Sequence, residues 1–396
     1  MKRISIFLIL LMVLLSVLVS CGQSKKEAPI KPEPTVESLP ASIETPTFDP
    51  SMVGKWQFIG PIIEGKTLYV RNLVATEENG KTILYVGTGE PGRILKWSEA
   101  TSSWSDIGYK LPGFGWVGAL AVDPTDPKTV YAGLGAPMRL AKSTDGGENW
   151  SLIDYRHSEP RSLAISNQNP QVVYLGTQDG LLKSADGGET WKLLDNGIPT
   201  NFLFWTVAVD PDDDSFIMAG GEPVRASTKV NWEFGTFYCS QNNGESWEEV
   251  RDERDTAEAP IWTRRGPIYT IIDIEFGPEN DIYVTNEGGT LFFTRDRKTW
   301  ESLLPDARHF WEIEIDPTDP RILYAAGTKG VYKSIDGGKS WQDISEGLGA
   351  ERTGDLTTSK DGSFLYVVCY IPNPAREREP GALQFISAGV WRLRLK

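Results

Sequence analysis

The sequence predicts an all-β fold: a seven-bladed β-propeller of four-stranded antiparallel blades, with an N-terminal strand closing the last blade. Three observations carry this expectation. The octet Ser334-Ile-Asp-Gly-Gly-Lys-Ser-Trp341 recurs at 143–150, 184–191 and 240–247, with worn copies at 294–300 and 97–104. Self-similarity at a period of about 40 to 50 residues marks a repeat architecture. Each period holds four short apolar runs separated by Gly, Pro, Asn and Asp turns, the unit of a propeller blade. The seventh period stops after three strands, while 55–60 (Lys-Trp-Gln-Phe-Ile-Gly) reads like the fourth strand 340–345 (Ser-Trp-Gln-Asp-Ile-Ser).

The third blade shows the pattern most cleanly. Strand-like runs at 162–166, 172–176, 181–184 and 191–194 are separated by Asn167-Gln-Asn-Pro170, by Gln178-Asp-Gly180 and by the octet turn. The same template fits 73–107, 120–153, 207–250, 274–303 and 313–344, and the incomplete seventh blade spans 356–393. Borrowing 55–60 closes the ring and removes the open sheet edge that invites aggregation.

Composition agrees. The 396 residues include 39 Gly, 26 Pro and 14 Trp, and 40% are hydrophobic, which supplies a large core and many turns. A formal charge of -14 argues against a nucleic-acid backbone as partner.

Ahead of the body, Met1-Lys2-Arg3 and the apolar run 4–19 have the form of a secretory signal, shorter than the ~20 residues of a spanning helix. Leu18-Val19-Ser20-Cys21 looks like a bacterial lipobox, which makes 1–20 a signal peptide and Cys21 the lipidated first residue of an exported, membrane-anchored lipoprotein. Gly22 after the cysteine favours the outer membrane in a host with two membranes. Residues 21–50, rich in Pro, Glu, Lys, Ser and Thr, read as a disordered tether, and 51–396 is the propeller. Cys239 and Cys369 fall in distant repeats, so two buried thiols are expected rather than a disulfide.

The octet resembles the Asp-box, or BNR repeat, of sialidases, sortilin-type receptors, xyloglucanase-like hydrolases and photosystem II assembly-factor propellers. The flanking Asp316-Pro-Thr-Asp-Pro320 and Ile322-Leu-Tyr-Ala325 strengthen the resemblance, which covers most of 56–393. It implies fold more than function. The chemistry of the box is local: a carboxylate accepts turn N–H groups, glycines take positive φ, and tryptophan covers the hairpin. Asp145, Asp186, Asn242, Asp296 and Asp336, with Trp150, Trp191, Trp247, Trp300 and Trp341, are therefore expected to be structural.

Propeller geometry puts the octet turns and the Asp-Pro turns on one face. The long insertions, 220–237, 251–269 and 371–389, fall on the other, with shorter ones at 109–116, 133–139 and 195–204. Binding residues on rigid scaffolds favour such loops.

Aligning the inner strands on Leu73, Leu120, Leu163, Val207, Ile274, Ile313 and Leu356 places Arg71, Gly118, Arg161, Trp205, Ile272, Trp311 and Gly354 two positions upstream. One position upstream lie Asn72, Ala119, Ser162, Thr206, Asp273, Glu312 and Asp355. Ligand-binding candidates at the channel mouth are Arg71, Trp116, Arg161, Trp205, Trp262, Trp311 and Arg352, where tryptophan can stack on a sugar or a peptide or else pack between blades. Asp273, Glu312 and Asp355 can converge as a carboxylate set for glycoside hydrolysis or as oxygen ligands for a hard cation. The simpler reading leaves them solvated or paired with the arginines.

Sialidase resemblance would require an Arg-Ile-Pro signature, which does not occur. The xyloglucanase-like catalytic Asp is missing from Thr88-Gly-Glu-Pro-Gly92, where only Glu90 is acidic. With His157 and His309 alone a histidine metal cluster is not expected, and no phosphate loop, dinucleotide fingerprint or nucleophile elbow occurs. The expectation is a non-enzymatic, tethered propeller without cofactor or metal. It binds an envelope protein or glycan through its insertion face and exists as a monomer. The alternative is a glycoside hydrolase or lyase acting at the mouth.

Overall fold

The computed structural model describes residues 43–44, 52–63, 66–155, 157–224, 236–251, 270–286, 288–303, 309–350, 352–372 and 385–396. Among them, strands form seven four-stranded antiparallel sheets and one three-stranded sheet. The inner strands of blades 1 to 7 are Val70–Glu78, Trp116–Val122, Pro160–Ile165, Phe202–Val209, Ile271–Phe276, Phe310–Ile315 and Arg352–Thr358.

The ring closes as the sequence predicts. Trp56–Gly60 is the outer strand of blade 7, pairing antiparallel with Phe385–Arg394 so that Trp56 faces Leu393 and Phe58 faces Trp391. Trp56 and Ile59 are buried, and the Trp56 indole donates to the Ile344 carbonyl of blade 6.

A propeller blade has no core of its own; it buries both faces against its neighbours. Seven apolar clusters follow, one at each blade interface. The second strands of six blades contribute a fully buried tyrosine: Tyr85, Tyr131, Tyr174, Tyr283, Tyr324 and Tyr366. Each lies opposite the inner-strand residue one place beyond the alignment column, Val74, Ala121, Ala164, Glu275, Glu314 or Thr357. Cys239 and Cys369 are both buried and neither is in a disulfide, as expected.

In the octet turns the carboxylate serves the turn. Ser334 Oγ donates to Asp336 and accepts from the Gly338 amide, while the Ser340 amide and hydroxyl donate to the two Asp336 oxygens. The turns at Asp145, Asp186 and Asn242 repeat the serine and backbone-amide bonds, with Asn242 Nδ2 donating to Ser246 Oγ where the aspartates accept, and Asp296 makes a shorter version with Lys298 and Thr299. Gly337 and Gly338 both have positive φ, which explains the paired glycines. The tryptophan closes its own hairpin in three turns, with Trp191, Trp247 and Trp341 donating to Gly188, Gly244 and Gly338; Trp150 instead reaches back to Ile107 of blade 1. Trp300 is buried.

These turns also join the blades. Tyr131 and Lys142 of blade 2 both donate to the Gly187 carbonyl of the next turn, and Tyr174 and Lys183 of blade 3 do the same to Asn243.

Two insertions are shorter than the sequence suggests, because regular hairpins run into them. Ile217–Pro223 and Thr236–Ser240 pair out to Gly221 and Thr236, and Pro372 pairs with Phe385. Most of both insertions lies outside the described residues, as do 252–269 with Trp262, and the signal segment with Cys21. Within 21–50 only Ile43–Glu44 is described. It is a short strand against Ile62–Ile63, which also pairs with Lys66–Thr67, and Ile43 packs on the blade 7/blade 1 cluster that contains Trp104. Among the described residues no helix is long and apolar enough to cross a membrane.

Candidate functional site

Every inner strand carries a β-bulge at the same place. The register against the second strand slips between Val70 and Asn72, across Gly118, and between Pro160 and Ser162, Phe204 and Thr206, Ile271 and Asp273, Phe310 and Glu312, and Thr353 and Leu356. The residues left out of the ladder are Arg71, Gly118, Arg161, Trp205, Ile272, Trp311 and, in blade 7, Gly354 with Asp355. A bulge inserts one residue and re-aims its side chain. Repeated seven times, it builds a ring at the channel mouth whose chemistry the blade pattern does not constrain.

The two glycines of the ring are held by close approach. A Cβ on Gly118 would lie 2.2 Å from the Pro160 carbonyl oxygen, and one on Gly354 would lie 2.6 Å from the Tyr370 ring. The remaining members, Arg71, Arg161, Trp205, Ile272 and Trp311, are half-buried.

Two arginine–tryptophan stacks cross blade boundaries. The Arg161 guanidinium sits 4.5 Å from the Trp205 ring centre, and that of Arg352 sits 3.7 Å from Trp311, a favourable cation–π geometry. Glu159, which the sequence reading overlooked, fixes the first stack. It accepts from Trp116 Nε1 at 2.7 Å and from Arg161 Nη2 at 2.8 Å, so Trp116, Glu159, Arg161 and Trp205 form one rigid array over blades 2, 3 and 4. Burial lowers the Arg161 pKa from its usual value; Glu159 opposes the shift and the like charge of Arg71 adds to it.

The three candidate carboxylates stand on neighbouring inner strands, and backbone amides engage two of them. After enclosure itself, the charge of Asp273 pushes the Glu312 carboxyl pKa up. Asp273 also accepts from the backbone N–H of Ile274 at 2.8 Å and of Ile313 at 3.0 Å, and Asp355 from that of Leu73 at 3.0 Å. Two further acids join them: Glu275, and Glu314, which accepts the Thr358 N–H and hydroxyl at 2.7 Å each.

All five stand on inner strands facing the channel, enclosed by protein yet within reach of its water. Enclosure raises every one of their pKa values, to about 6 for Asp273 and about 7 for Glu314 and Asp355, and the amide bonds pull the other way. In Glu275 and Glu312 neighbouring negative charge adds to enclosure. Glu275 and Glu314 were legible two residues past Asp273 and Glu312, on the same strand face.

No group of three or more His, Cys, Asp or Glu among the described residues is arranged to hold a metal. Glu90 is exposed in the loop after the second strand of blade 1.

Fold and mouth together define a seven-bladed propeller with a regular turn face and an individual channel mouth. No protein-family model and no curated protein matches the chain. Solved structures match it in fold. A YCF48 structure bound to a D1 peptide is 15% identical with a TM-score of 0.59, covering 90% of this chain and 100% of the other. YCF48 from Cyanidioschyzon merolae is 19% identical with a TM-score of 0.53, covering 86% and 98%. The Niastella koreensis GH74 enzyme is 18% identical with a TM-score of 0.58 over 76% of this chain, which spans 51% of that enzyme's chain.

Proposed function

We propose that this is a non-enzymatic binding propeller that takes a segment of an envelope protein at its channel mouth, and that an acylated Cys21 tethers it to the membrane after export. The carrying observation is the ring of bulges. Seven equivalent positions hold two arginines, two tryptophans, one isoleucine and two glycines, on a frame fixed by ladder hydrogen bonds and by Glu159. Rigid aromatic and arginine side chains are the residue types that dominate protein-binding hot spots. The YCF48 structure with its bound D1 peptide supports a peptide-like ligand for this fold.

The hydrolase reading has less support. Glycoside hydrolysis uses two carboxyl groups about 5 to 9.5 Å apart with a sugar between them. Asp273 and Asp355 are instead engaged by backbone amides.

The test is photo-crosslinking in the expressing host. A benzophenone amino acid replaces Ile272 in the mouth or, as control, Ile335, which is 69% exposed at a turn tip. A discrete protein adduct from position 272 and not from 335 is expected. The same adducts from both positions, or none from either, would overturn the proposal, and a glycan adduct from 272 would replace the protein ligand with a sugar.

A further inference from the structure

The turn face is regular in backbone but not in charge. In blades 2 to 4 its turns, 123–129, 144–150, 166–172, 185–191, 210–216 and 241–247, carry eleven acids and one cation, Lys128. The blade 7 edge reverses this balance. At 52–55, 359–363 and 394–396 the one acid is Asp361, beside Lys55, Lys360, Arg394 and Lys396. All three lysines are exposed. The adjoining turn of blade 6 adds Asp316, which is buried, and Asp319, which is paired with Arg321.

These stretches form one surface because the first and last strands of the ring meet there. Val53 bridges to Arg394, the Gly54 N–H donates to the Arg394 carbonyl at 3.0 Å, and the Leu395 N–H donates to the Ser363 carbonyl at 2.8 Å. Lys396 Nζ donates to the Thr318 hydroxyl at 3.2 Å and to the Asp361 carbonyl at 3.4 Å. Met52 and Val53 stand on the same edge, 43% and 54% exposed.

Apolar side chains flanked by lysines have the chemistry of a bilayer interface: the apolar groups enter the boundary between headgroups and acyl chains, and the cations meet anionic headgroups. A protein partner fits less well, since lysine is depleted at protein–protein interfaces. The chain also meets the ring on this side. Ile43 packs on the blade 7/blade 1 cluster, and Met52 leads into the closing strand Trp56–Gly60.

We propose that the blade 7 edge of the turn face docks on the anionic headgroups of a lipid bilayer, with Met52 and Val53 in the headgroup region and Lys55, Lys360 and Lys396 against phosphates. The proposal rests on the acylated tether for bringing this edge to the bilayer. The acidic turns of blades 2 to 4 are repelled by the same headgroups, so contact is confined to blade 7. The channel mouth, on the opposite face, stays open to its partner.

The test places an environment-sensitive fluorescent amino acid at position 53 of the full chain or, as control, at Met138, which is 45% exposed in the mouth-side insertion of blade 2. The chain is reconstituted with vesicles of phosphatidylcholine and phosphatidylglycerol that contain a spin-labelled quenching lipid. Quenching at 53 and not at 138 is expected, and it should vanish at about 1 M salt, where the screening length is about 3 Å. Lys55→Gln with Lys360→Gln should remove most of it, because each lysine beside an anionic surface favours the docked state by roughly five-fold. Flotation with the vesicles at high salt and the mass of the acyl group report the tether separately. Position 53 unquenched would overturn the docking surface, whether or not the chain floats. Equal quenching at 53 and 138, or undiminished quenching at 53 in phosphatidylcholine alone, would overturn it too. Quenching at 53 by a chain without an acyl group would sustain the docking surface and overturn the tether.

Discussion

The molecule uses the same chemical group in two opposite ways on its two sides. In the octet turns, Asp145, Asp186 and Asp336 each accept several donors from their own hairpin, and their pKa values are held down at about 2, led by the Asn149 amide, the Thr190 hydroxyl and the Ser340 hydroxyl respectively. In the channel, Asp273 and Asp355 are raised to about 6 and 7 by enclosure, with amide donors too few to offset it. The turn carboxylates are open to solvent and answer to local backbone. The channel carboxylates come from three blades and answer to one another. A motif rich in acid and glycine is therefore the structural part of this protein, and the irregular residues beside the bulges are its individual part.

That contrast exists only in a closed ring. Deleting 55–60 removes the outer strand of blade 7 and with it the buried Trp56 and Ile59. Two such side chains contribute roughly 1.5 to 3 kcal/mol each, before the ladder bonds are counted. Loss of cooperative urea unfolding is the expected outcome, and an unchanged midpoint would refute the closure. Smaller, and confined to the turn side, is Ser334→Ala. It strands the Gly338 amide and removes one of the donors to Asp336, and should cost about 1 to 2 kcal/mol in urea unfolding with no change at the mouth.

A pH series then sets the two sides against each other. The turn carboxylates stabilise above the ordinary carboxylate range and lose their contribution as pH falls toward about 2; the channel carboxylates lose theirs as pH rises through about 6 to 7. Stability should peak between roughly pH 4 and 6, and a plateau extending to pH 8 would mean that the channel acids ionise at no cost. Least of all in stability, Trp205→Ala with Trp311→Ala removes two half-buried side chains and is expected to shift the melting temperature by only a few degrees, leaving binding as the main casualty.

Much of this was readable in advance because the octet is local. Six copies mark six of the seven blades, and the similarity of 55–60 to 340–345 gives the closing strand of the seventh. Reading the inner strands in register also picks out Arg71, Arg161, Trp205 and Trp311 as residues the repeat does not explain. What could not be read was why they stand apart. A bulge is a slip in pairing with a strand about ten residues away, and no residue type signals it here, since the bulged positions hold Arg, Gly, Trp and Ile alike. The amide partners of Asp273 and Asp355 were equally hidden. They belong to the next blade around the ring, 40 residues on for Ile313 and at the far end of the chain for Leu73. Glu159 escaped because it precedes its strand, although its place two residues before Arg161 was a usable hint.

The division of labour between the two sides can be measured in one experiment. Peptides are selected from a random library on the full chain, and the affinity of an enriched peptide is compared for wild type, the Trp205→Ala, Trp311→Ala double variant and Ser334→Ala. The double variant is expected to weaken binding at least about ten-fold, a loss of about 1.4 kcal/mol, while Ser334→Ala binds as wild type does. Equal binding by the double variant, or a loss caused by Ser334→Ala alone, would contradict the assignment of recognition to the channel mouth.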